Sequence, residues 1–105
     1  MVLIKAPGHT PGSQMVFVRL ADGREVLYLG DVAWHLDQIK QLWYRPRFIT
    51  DLFIHENRAQ VMGEFRALHN LMNAEPALTL LASHDVAERA ALIQSGLLGQ
   101  HFELP

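Results

Sequence analysis

Apolar and polar positions change their spacing along the chain, and each change marks a new element. Over residues 14–20, Val16 and Val18 alternate with Phe17 and Arg19, so one face of an extended segment is apolar and the other mixed. Asp22-Gly23 follows, a strong signal for a tight turn between antiparallel strands. Residues 25–29 then return beside the first segment. Ahead of this hairpin, residues 2–5 form a short aliphatic strand that stops at Pro7-Gly8. After residue 31 the spacing turns helical: Leu36, Ile39 and Leu42 predict a short helix over residues 32–42. Residues 43–48 mix aromatics and arginines around Pro46 and predict a loop. Val61, Phe65, Leu68 and Met72 form one stripe, which predicts the longest helix over residues 57–74, with Asn57 as N-cap and Pro76 as its stop. Residues 78–82 are almost continuously aliphatic, as in a strand buried on both faces. Asp85 can cap a last helix, with Glu88 completing the box and Gly96 closing its C-terminus. Residues 97–105 carry no pattern that assigns them.

Composition narrows the class. A chain of 105 residues, 50% hydrophobic, is sized for one domain with a modest core. A formal charge of -2 argues against a nucleic-acid or anionic-membrane surface. There is no cysteine, hence no disulfide framework and no thiolate ligand. No apolar run reaches membrane-spanning length, and the N-terminus lacks the basic region and long apolar core of a signal peptide. A cytoplasmic protein is expected.

The candidate chemistry sits where strands end. Residues 2–5 lead into Gly8-His9-Thr10-Pro11-Gly12-Ser13, residues 25–29 into Gly30-Asp31, and residues 78–82 into Ser83-His84-Asp85. Three strands thus deliver His9, Asp31 and His84 to the edge where sheet proteins usually bind ligands. Two imidazoles and a carboxylate suit zinc, manganese or iron, and a metal there would activate water against an ester, lactone or amide. Thr10, Ser13 and Ser83 could orient these groups. Each has a plainer reading: His9 packed for shape, Asp31 as a helix cap, His84 as a helix-end residue. Trp34 and His35 could line a substrate pocket or lie on the surface. His55 and His69 read as ordinary helix-end and helix-surface residues, and His101 lies in the unassigned tail. Lys40, Arg45, Arg47 and Arg58 read as a solvated connector, with an anion-binding lid as the other possibility.

In order and approximate spacing, the Gly-His-Thr-Pro-Gly-Ser loop, the hairpin, Leu29-Gly30-Asp31 and Ser83-His84-Asp85 resemble the C-terminal half of a metallo-β-lactamase-fold hydrolase. That resemblance implies an α/β (α+β) architecture: half of an αββα sandwich, one mixed sheet with helices on one face, residues 1–105 forming a single partial domain. It implies His9 on a first zinc, His84 on a second, and Asp31 as the catalytic carboxylate bridging the two. The family's His-x-His-x-Asp-His motif occurs nowhere in the chain. Each metal would keep about half of its protein ligands, so the expected protein is a truncated hydrolase of small acyl or lactone-type substrates, weak or inactive alone.

Half a sandwich leaves one sheet face bare. Val16, Val18, Val26 and Tyr28, or their alternates, would line it, and so large an apolar face calls for a cover. A homodimer, or a separate chain carrying the N-terminal half, is the expected partner. The alternative to a hydrolase fragment is a non-catalytic interaction or dimerisation module derived from the same fold.

Overall fold

The structure, a computed structural model, describes residues 1–99. Strands β1 (Val2–Lys5), β2 (Gln14–Arg19), β3 (Glu25–Tyr28) and β4 (Thr79–Leu81) form one sheet in the order β1-β2-β3-β4. The first three are antiparallel neighbours, and β4 runs parallel to β3. The hairpin between β2 and β3 closes where predicted: Leu20 N–H donates to Arg24 O at 2.8 Å and Gly23 N–H to Leu20 O at 3.0 Å. Between β3 and β4 the chain crosses over through α1 (Leu36–Lys40), a π-helical turn (Ile49–Ile54) and α2 (Arg58–Ala74), and the last element among the described residues is α3 (Val86–Gln94).

Helix α2 begins as its sequence predicts. Asn57 is the N-cap, its side chain accepting from Gln60 N–H, and Val61, Phe65 and Leu68 are buried. They pack with Met15, Leu27, Leu29, Val32, Ile39 and Leu80 in one core, against which Phe17 and Met72 rest. Phe17 stands opposite Leu27, and Leu27 opposite Leu80, so this row is the face that meets the helices. The opposite row is Leu3, Val16, Tyr28 and Leu81, with Val18, Val26 and Thr79 beside it. None of these is in the core; Leu3 is 58% and Tyr28 40% exposed. For that reason β4 is not buried on both faces as its aliphatic run predicts. Leu80 is buried, while Thr79 and Leu81 are half-buried.

Three further expectations are corrected. Helix α1 starts at Leu36 rather than residue 32, because side chains capture the backbone groups that would have begun it. Val32 O accepts from Arg45 Nη2 at 3.0 Å, and Gln38 Oε1 accepts from Trp34 N–H and His35 N–H at 2.7 and 3.2 Å. It ends early as well: Leu42 has φ 53°, and Trp43 N–H returns to Gln38 O in the pattern of a left-handed helix stop. Second, His69 is no surface residue. Half-buried, it donates from Nδ1 to Ile39 O at 2.9 Å and ties α2 to α1. Third, Arg45 is not part of a solvated connector; it is 4% exposed.

Candidate functional site

Three strand exits meet at one edge. The loop after β1 folds on itself: Ala6 N–H donates to Ser13 O at 2.9 Å, and the Thr10 and Ser13 hydroxyls pair at 2.8 Å. Thr10 and Ser13 thus close the loop that carries His9. Asn57 N–H donates to Gly8 O at 2.7 Å, fastening the loop to the start of α2. After β3, Leu29 N–H adds one more bond to Leu81 O, and Gly30 turns the chain at φ +57°, where its missing Cβ avoids Gln14 O. This turn presents Asp31. After β4, His84 N–H donates to Trp34 O at 3.1 Å, stitching the third exit to the second.

The Asp31 carboxylate lies between the two histidines. Its Oδ2 is 3.8 Å from His9 Nε2 and its Oδ1 is 3.3 Å from His84 Nε2. Ser83 Oγ donates to Oδ1 at 2.7 Å. That hydrogen bond holds the Asp31 carboxyl below its usual range against the opposing effect of burial, with His9 and His84 assisting. His9 is largely buried, Asp31 half-exposed and His84 exposed. So His9, Asp31, His84 and Ser83 come together as one group. Among the described residues, though, no three donors converge on a point that would hold a single ion. The donors instead form two pairs that share Asp31, each an imidazole nitrogen facing one carboxylate oxygen. Imidazole nitrogen and carboxylate oxygen are donor types that zinc, manganese and iron accept, and each pair could supply only part of a coordination shell.

Behind these side chains lies a group that the sequence did not announce. His9 Nδ1 is 2.9 Å from Glu56 Oε2, and Glu56 is buried. Arg45 Nη1 donates to both Glu56 oxygens at 3.0 and 2.9 Å, and its Nη2 donates to Asp31 O at 2.8 Å. The guanidinium also stacks over Trp34, 4.3 Å from the ring centre. Trp34 in turn meets the His84 ring edge-on, the centroids 5.9 Å apart. Trp34 is therefore a support for His84. His35 is the exposed N-cap of α1 and makes no hydrogen bond or ion pair with His9, Asp31 or His84 among the described residues. Asp85 belongs to the helices: its carboxylate accepts from Leu36 N–H at 2.9 Å and from Glu88 N–H at 3.1 Å. Of the other basic residues, Arg58 donates to Arg45 O, while Lys40 and Arg47 are exposed. His55, at φ 55° and exposed, lines a cavity of about 280 Å³ together with His9. His101 lies outside the described residues.

No protein-family model matches the chain, and no curated protein matches it. Solved structures do. One is an N-acyl homoserine lactone hydrolase with the product N-hexanoyl-L-homoserine bound at its catalytic metal centre; it is 18% identical, with a TM-score of 0.64 over 85% of this chain. Another is the F107W mutant of B. thuringiensis AiiA with N-decanoyl-L-homoserine in its active site, again 18% identical, with a TM-score of 0.64 over 85% of this chain. The chain spans 32% of the length of each. At this identity the likeness speaks to fold. With its mixed four-stranded sheet, the chain carries the metallo-β-lactamase fold over the part of that fold that it spans.

Proposed function

We propose that this chain is the C-terminal portion of a metal-dependent hydrolase that opens ester, lactone or amide bonds, with His9, Asp31 and His84 as its metal-facing side chains. The observation that carries the reading is the position of Asp31, whose two oxygens each face one imidazole Nε2. When bound, zinc or a similar ion would lower the pKa of a coordinated water and polarise the scissile carbonyl. This chain's residues would do the rest. Ser83 fixes the Asp31 carboxylate by donating to Oδ1, while Oδ2 faces His9 Nε2. The N-acyl homoserines bound in the solved neighbours, one of which is a lactone hydrolase, support a small lactone as substrate. A cytoplasmic location suits the absence of cysteine.

Zinc titrated into the purified chain tests the site. Binding should be weak, since each ion meets one imidazole and one carboxylate oxygen, and H9A, D31N and H84A should each lower it further. Unchanged binding in all three variants would overturn the assignment. Near-stoichiometric content of two ions after chelator-free purification would overturn the expectation of weak binding.

A second reading has its own support in the bare sheet face of Leu3, Val16, Val18, Val26 and Tyr28. On this reading the chain is an interaction module whose sheet is covered by a second copy or by a chain supplying the N-terminal half. Light scattering behind a sizing column decides: a monomer that stays soluble at high concentration counts against either cover.

A further inference from the structure

The Arg45 guanidinium stands behind all three candidate ligands at once. It reaches His9 through Glu56, Asp31 through that residue's own carbonyl, and His84 through Trp34. We propose that Arg45 and Glu56 are positioning residues for the metal-facing set, and that Glu56 dictates which nitrogen of His9 carries the proton. This rests on the hydrolase reading for its purpose, though the tautomer itself stands on the hydrogen bonds alone.

A carboxylate has only acceptors to offer, so the 2.9 Å contact with Glu56 requires a proton on His9 Nδ1. Neutral His9 then has a bare lone pair on Nε2, the nitrogen that faces Asp31. Glu56 cannot turn away, because Arg45 Nη1 holds both of its oxygens in a buried site. Arg45 is fixed in turn by the carbonyls of Asp31 and Val32 and by the Trp34 ring. The set is thus oriented before any ion arrives, as hydrogen-bonded carboxylates orient ligand imidazoles generally.

The isosteric change E56Q separates this role from packing. Arg45 can only donate, so it should claim the amide oxygen of the new side chain and turn the NH2 group toward His9. Nδ1 must then accept, and the proton moves to Nε2, blocking the metal-facing nitrogen. Long-range ¹H–¹⁵N correlation spectra of the metal-free chain at about pH 8.5, some two units above an ordinary histidine, report the tautomer directly. The expected result is Nδ1–H in the parent chain and Nε2–H in E56Q, with zinc affinity falling about tenfold or more in the variant. Nε2–H in the parent, or Nδ1–H retained in E56Q, overturns the proposal. If E56Q fails to fold, the parent spectrum alone still decides the tautomer. If both tautomers are as stated but zinc binds the parent, E56Q and H9A alike, the hydrolase reading fails while the hydrogen-bond assignment stands.

Discussion

His9 and Glu56 are 47 residues apart in the chain and 2.9 Å apart in space, the Nδ1–H of one donating to the carboxylate of the other. Glu56 immediately precedes the Asn57 cap of α2, and Asn57 N–H holds Gly8 beside His9. The start of one helix therefore fixes both the backbone and the side chain of a loop near the N-terminal end of the sequence.

Replacing Arg45 should be among the most damaging changes in the protein. R45M leaves the Glu56 carboxylate buried without a counter-charge and frees the carbonyls of Asp31 and Val32. A loss of about 3–5 kcal/mol is expected by urea denaturation, and R45M/E56L should lose less than the two single changes added together. A loss under about 1 kcal/mol in R45M would show that the pair does not hold the fold.

Asp85 caps two helices with one carboxylate, through Leu36 N–H and Glu88 N–H. D85A should cost about 2 kcal/mol, about 1 kcal/mol per cap. Burial pushes the Asp85 carboxyl upward, but the two backbone hydrogen bonds prevail and hold it below its usual 3.8. A depressed carboxyl contributes stability above its unfolded value, and that contribution disappears as pH falls through the folded one. Acid titration of stability should therefore be shallower in D85A than in the parent.

Glu64 works in the opposite direction. Burial first, and the charge of Glu56 second, push its carboxyl from 4.5 up to about 7, and Oε2 is buried without a partner. The folded chain thus keeps a proton that the unfolded chain has lost, so stability falls as pH rises from 4.5 to about 7 and stays reduced above that. E64Q should be more stable than the parent at about pH 8 by roughly 1–2 kcal/mol, after allowance for solvent screening. The two should converge below about pH 4.5. Parallel pH profiles for both chains would exclude Glu64 as the source.

Gly8 should not tolerate a side chain. At φ +152°, an added Cβ would lie 2.9 Å from Val61 Cγ2 and 3.1 Å from Val61 N. G8A should cost about 1–3 kcal/mol, because the backbone of α2 cannot retreat from the core. It should also displace the neighbouring His9, so zinc affinity should fall further than in a surface control such as G12A, where a Cβ meets nothing within 4 Å.

Much of the scaffold could be read in advance because its signals are local. The Asp22-Gly23 turn, the Asn57 and Asp85 caps, and the Val61, Phe65, Leu68 stripe each involve residues a few positions apart. Helix α1 departs from its sequence expectation for the same reason. Its apolar spacing is genuine, but the groups that stop it from starting at Val32 include Arg45, which is 13 residues away. The gathering of His9, Asp31 and His84 could be anticipated, since strands ending at one edge bring their following residues together.

By itself, then, the sequence determined the hairpin, the long amphipathic helix and the edge at which the candidate ligands meet. Tertiary structure alone decided what stands behind them. Arg45 and Glu56 look in the sequence like any charged residues of a connector and a helix entrance, because an ion pair between residues 11 apart, both outside any helix, leaves no periodic signal. They become a buried pair only when the crossover folds over the sheet and brings Asp31, Trp34 and His9 within hydrogen-bonding or stacking reach.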